Sequence, residues 1–130
     1  MTRFGELLQA LSGAKVEYIL VGGIAAAAHG SARATQDIDV VYRRDPENLK
    51  KLVRALSPLQ PYLRGAPPGL PFRFDADTLS QGLNFTLTTS LGWIDLLGEI
   101  TGGGKYEDLV GHAISVEAFG VGCLILDLPT

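Results

Sequence analysis

The chain reads as an α/β protein, a β-sheet flanked by helices, and three observations set that class. Residues 16–21, VEYILV, form a near-continuous apolar run, the pattern of a central strand buried on both faces. Two helical stripes bracket it, Phe4, Leu7, Leu8 and Leu11 upstream and Leu49, Leu52, Val53 and Leu56 downstream. Further on, Leu83, Phe85 and Leu87 alternate with Asn84, Thr86 and Thr88, as in a half-exposed strand, and a turn at residues 90–92 leads into a second apolar stretch at 93–97. At 130 residues and 13.8 kDa the chain is expected to be one domain, residues 1–130, with room for a core but not for two.

Taken in order, residues 2–11 predict an amphipathic helix ended near Gly13 and lying over one face of the sheet. After the strand at 16–21, Gly22-Gly23 makes a turn, and residues 24–29 make a short helix whose lack of bulk lets it pack close to the sheet. A polar connection then reaches a second strand carrying Asp37-Ile38-Asp39. Asp45-Pro46-Glu47 marks a helix start, an N-cap acid followed by proline at the first helical position. Residues 57–71 hold Pro58, Pro61, Pro67, Pro68 and Pro71 and read as a loop of defined path. Residues 72–74 suggest a short strand, 107–112 a helical turn, and 115–119 with 122–127 a closing strand pair in which Cys123 is a small core residue.

Composition excludes several classes. Apolar content of 46% and charged content of 19% fit a globular protein, and a net charge of −3 argues against a generally basic nucleic-acid binder. The one cysteine excludes an internal disulfide and fits a reducing compartment. Glu6 interrupts the N-terminal apolar residues, so no signal peptide is evident. The longest apolar run, residues 18–28, contains two glycines and falls short of the roughly 20 residues a bilayer requires. A soluble cytoplasmic protein that does not enter the membrane is the expectation.

Chemistry concentrates around the second strand. With a side-chain period of two, Asp37 and Asp39 project from one face and Ile38 from the other. Two adjacent carboxylates repel unless a cation lies between them, and hard oxygen donors suit Mg²⁺. Gly22 and Gly23 lie between a strand and a helix start, where a close backbone approach and free N–H groups favour a phosphate. Asp95 stands among Ile94, Leu96 and Leu97, where a carboxylate is costly unless paired, hydrogen-bonded or metal-bound. Arg33 has two readings of equal weight, a fork of donors on a triphosphate or a solvated arginine paired with a nearby acid. Lys105 and Tyr106, after a run of glycines, reach a nucleotide by charge and by stacking or else sit on a loop surface. His29 and His112 have no cluster of partner ligands and are read as non-ligating.

Gly22-Gly23, the 13 residues 24–36 and the acid-apolar-acid triplet 37–39 together resemble the signature of the nucleotidyltransferase (DNA polymerase beta-like) superfamily. Residues 33–39, RATQDID, look more narrowly like the minimal bacterial nucleotidyltransferases related to the toxins of AbiEii-type and MenT-type toxin–antitoxin systems, and residues 83–98 are similar to the family's second hairpin, whose acid here is Asp95. The resemblance implies a mixed sheet with flanking helices and transfer of a nucleoside monophosphate from an NTP, ATP among the candidates, to an acceptor hydroxyl. It implies two Mg²⁺ or Mn²⁺ ions held by Asp37, Asp39 and Asp95, with Gly22, Gly23, Arg33 and Lys105 on the nucleotide. It also implies a tRNA, protein or small-molecule acceptor and, for a toxin, an antitoxin protein as partner. The resemblance also implies a further helix with basic residues, usual in the family, which is expected to be either absent or beyond these 130 residues. A non-catalytic or truncated module that binds a nucleotide or a protein through the same pocket is therefore the alternative expectation.

Overall fold

A computed structural model gives the architecture, and the structure describes residues 3–21, 37–67, 69, 72–100, 104–118 and 120–126. Helix α1 (Phe4–Gly13) leads into strand β1 (Tyr18–Val21), and β2 (Asp37–Tyr42) precedes helix α2 (Pro46–Leu56). A 3-10 turn (Ser57–Leu59) and the two-residue strand β3 (Tyr62–Leu63) follow, then α3 (Ala76–Gln81), β4 (Phe85–Thr89) and β5 (Gly92–Leu97). A small hairpin, β6 (Glu99–Ile100) with β7 (Gly104–Lys105), leads to α4 (Tyr106–Leu109), and β8 (Ala113–Ala118) with β9 (Val121–Leu126) closes the fold.

The main sheet has seven strands in the order β3-β4-β5-β2-β1-β9-β8. It is mixed, as expected. Strand β2 runs parallel to β5 and antiparallel to β1, while β1 runs parallel to β9. Among the described residues its two faces are covered unequally. Leu7, Leu8 and Leu11 of α1, Leu49, Leu52 and Leu56 of α2 and Leu79 of α3 pack with Ile38, Val40, Tyr42, Leu87, Ile94 and Leu96 on one face. On the other, among the described residues, Ile19, Val21 and Val41 meet Tyr106 and Leu109 of α4 as buried partners. The period-two alternation of β2 and β5 sends Ile38, Val40, Ile94 and Leu96 to the thick helix layer, and Asp39 and Asp95 to the thin one. Among the described residues no helix is long and apolar enough to cross a membrane.

Local signals place the helices well. Asp45 accepts from the Asn48 amide at 3.3 Å as the N-cap of α2. Two expectations need correction. Residues 57–71 are more than a loop, because β3 adds an edge to the sheet and Arg64 N bonds Thr86 O at 2.9 Å beyond it. Residues 72–74 are not a strand; Phe72 lies edge-on to Tyr62, ring centres 6.3 Å apart, and both phenylalanines pack against the helix-side core. Residues 24–29 lie outside the described residues. Cys123 is buried, as expected, and burial pushes its thiol up.

Burial also raises three tyrosines. Tyr18 is pushed up to about 12 by desolvation, opposed by its bond to Ser12, and Tyr42 and Tyr106 are raised for the same first reason. A phenol raised in the folded state favours that state below its unfolded value of 10.0 and ceases to as pH climbs through the folded value. Melting temperature is therefore expected to hold up to about pH 10 and to fall between pH 10 and 12, with Tyr18→Phe shallower across that window. A flat profile over that range would contradict the assignment.

Candidate active site

The two polar strands meet in register. Asp39 of β2 is the direct partner of Asp95 of β5, and the pairing continues through Asp37 with Trp93 and Val41 with Leu97. On the far side of β5, Thr86 pairs with Asp95 and Thr88 with Trp93. A row therefore crosses the sheet, Thr86, Asp95, Asp39 and Val21, on the face that the thick helix layer does not cover. Adjacent strands lie about 4.8 Å apart, so the two carboxylates stand side by side. The next row toward the sequence start of β2 holds Thr88, Trp93 and Asp37, and Trp93 is 41% exposed at its lip. Toward the other end, the same face turns apolar with Val41, Leu97 and Ile19.

Two like charges in one row need a compensating cation. Arg64, just past the edge strand β3, supplies it, with Nη2 donating to Asp95 Oδ1 at 2.8 Å and to the Leu87 carbonyl at 2.9 Å. Its guanidinium carbon lies 4.6 Å from the centre of the Trp93 ring, in cation–π contact. Both partners are substantially shielded, with side chains 19% and 22% exposed. The sequence reading missed Arg64. Its position in a proline-rich stretch 31 residues from Asp95 gave no signal, because only the β3–β4–β5 register brings the two together.

The other expected site residues fall as follows. Asp37 is described through its backbone, at the start of β2 opposite Trp93. Gly22, Gly23 and Arg33 lie outside the described residues. Lys105 is exposed on the β6–β7 hairpin, paired with Glu99 rather than brought beside Asp39 or Asp95. Tyr106, the next residue, is buried in the thin-face core near Glu17 and Arg43, so it offers no stacking surface to a nucleotide. That corrects its expected role. Among the described residues no group of three His, Cys, Asp or Glu side chains gathers as a metal site. The pair formed by Asp39 and Asp95 still suits a hard divalent cation that takes one or two carboxylates and completes its shell with water and phosphate oxygens.

A pocket of about 390 Å³ opens elsewhere, lined among others by Ser12, Lys15, Glu17, Tyr18, Tyr106 and Cys123. It lies at the far end of β1 from Val21, and therefore far from Asp39. Its one carboxylate is engaged, Arg43 Nη1 lying 3.1 Å from Glu17 Oε2.

No protein-family model and no curated protein sequence matches the chain. Among solved structures it is similar to the crystal structure of a Thermotoga maritima protein provisionally named a nucleotidyltransferase. The two share 18% identity and a TM-score of 0.60, over 98% of this chain and 81% of that one. At that identity the likeness speaks for the fold, which is nucleotidyltransferase-like.

Proposed function

We propose that the protein is a metal-dependent nucleotidyltransferase that moves a nucleoside monophosphate from an NTP to an acceptor hydroxyl. The observation that carries this reading is the register of Asp39 against Asp95 at the polar end of the sheet face opposite α1 and α2. The fold likeness and the sequence motif at residues 22–39 support it. In the proposed reaction the acceptor oxygen attacks the α-phosphorus, the bond from that phosphorus to the β-phosphate oxygen breaks, and pyrophosphate leaves with the electron pair. Asp39 and Asp95, with Asp37, hold the divalent cations, which when bound neutralise charge on the phosphates. Asp95 also orients the acceptor hydroxyl and takes its proton on a carboxylate oxygen. Gly22 and Gly23 cradle the β- and γ-phosphates, and Arg33 contacts the triphosphate. The narrower reading, an AbiEii- or MenT-type toxin acting on tRNA or protein and held by an antitoxin, rests on the sequence resemblance of residues 33–39 and 83–98.

One observation favours a second reading, a nucleotide- or protein-binding module without chemistry: Arg64 already neutralises Asp95. A melting-temperature panel with each NTP, with and without Mg²⁺ or Mn²⁺, comes first. A ligand at a hundredfold excess over its Kd stabilises by about 2.7 kcal/mol, a rise of roughly 8 °C for a chain of this size. That rise should require metal and vanish in Asp39→Ala. No shift with any NTP and metal rejects the nucleotide site. A shift without pyrophosphate release, with RNA, protein and small-molecule acceptor pools all tried, selects the module.

A further inference from the structure

We propose that Arg64 is the resident cation of the carboxylate row, neutralising Asp95 in the metal-free protein and giving that carboxylate up when a divalent ion binds, so that ion binding and guanidinium release are one exchange. The proposal rests on reading Asp39 and Asp95 as a metal site. Four features of the fold lead to it.

Charge balance comes first. Asp95, in register with Asp39, carries one formal negative charge, and the guanidinium at 2.8 Å offsets it with one positive charge. A dication brings two. It also repels a guanidinium bound to the same carboxylate, so the two cations compete for Asp95. The second feature is shielding. With side chains only 19% and 22% exposed, the pair is screened less than a surface ion pair, so the competition is felt in affinity.

Third, Arg64 has anchors that do not depend on Asp95. Nη2 also donates to the Leu87 carbonyl at 2.9 Å, and the guanidinium lies over Trp93. A side chain held in this way can leave the carboxylate by a small turn of its plane instead of swinging into solvent. The fourth feature is position. Arg64 follows a strand of two residues at the sheet edge and precedes Gly65, whose φ of 81° is a turn conformation that favours glycine. Movement there costs the core little, because the core-facing residues of β4 and β5 are held by their own ladder.

The structure supplies its own reporter. Trp93 is the chain's one tryptophan, and Arg64 lies on its ring. In the full chain, Mg²⁺ is titrated while tryptophan emission is followed, and Mn²⁺ affinity is measured in parallel by calorimetry. Wild type should show a saturable emission change on adding Mg²⁺. Arg64→Gln should bind Mn²⁺ about tenfold more tightly, within the usual range for coupled sites, and its emission should no longer respond. Arg54→Gln, which removes the same charge from an exposed position on α2, should leave affinity and emission response at wild-type values. Arg64→Lys keeps the charge without the planar fork and should fall between Arg64→Gln and wild type in affinity. It also decides the matter should Arg64→Gln not fold.

Equal or weaker Mn²⁺ binding by the folded Arg64→Gln protein overturns the exchange, as does a wild-type emission that ignores Mg²⁺ while calorimetry shows binding. Failure of the underlying site looks different. In that case wild type binds neither ion, or Asp39→Ala binds Mn²⁺ as well as wild type does.

Discussion

Asp39→Asn is expected to lower nucleotidyl transfer by about a thousandfold or more, on the order of 4 kcal/mol in the barrier, and to leave the fold intact. Asparagine keeps the shape of the side chain and removes its charge. The position faces away from the thick core, with Ile38 and Val40 on either side buried against the helices, so the substitution opens no cavity. Asp95→Asn should match it in activity. A rate within tenfold of wild type for either folded variant, measured as pyrophosphate released per enzyme, would exclude the assignment of that carboxylate to the chemistry.

The largest structural effect is expected at Asn48. This side chain is 1% exposed, and its amide is fully committed, Oδ1 accepting from Glu17 N at 2.7 Å and Nδ2 donating to Glu17 O at 3.0 Å and Arg43 O at 2.7 Å. It ties the entrance of β1 and the exit of β2 to the first turn of α2. Replacing it by leucine fills the volume but strands two backbone groups, Glu17 N and Arg43 O, while Glu17 O keeps the Arg43 amide at 3.2 Å. Each buried polar group left without a partner costs about 1–3 kcal/mol, and partial access to water brings the expected total to about 3 kcal/mol, or roughly 10 °C in Tm. Asn48 lies at the end of the strands remote from Asp39, so metal binding per folded molecule should not change. A loss below about 1 kcal/mol in chemical denaturation would mean that water satisfies those groups instead.

Much of the scaffold was legible because its signals are local. The Asp45-Pro46 start, the leucine stripe of α2 and the alternation of β4 are each set within a few residues, and each appears where expected. The parallel pairing of β2 with β5 was not anticipated; the resemblance implied only a mixed sheet with Asp37, Asp39 and Asp95 together, and periodicity carries no information on which strand lies next to which. What was missed is long-range or subtle. Arg64 reaches Asp95 only through three strands of register, and Asn48, a polar residue just ahead of the leucine stripe of α2, gave no outward sign of its three bonds. Helix α3 was overlooked although Asp75 caps it, accepting from Thr78 N at 2.8 Å, a bond that holds its carboxyl below the usual range. With six residues and one buried leucine, its stripe is too short for periodicity to register.

The register of β2 against β5 has a further consequence, one of time. Asp39 and Asp95 are 56 positions apart (95 − 39), and between them the chain forms α2, β3, α3 and β4. Loop-closure entropy makes such a parallel pairing slow compared with the β4–β5 hairpin, whose partners are separated by only a few residues. On a newly made or refolding chain the helices and hairpins can be in place while the two carboxylates are still apart. Competence to hold a dication would then arrive with that long-range contact, and the chain would stay chemically silent until β5 had docked beside β2.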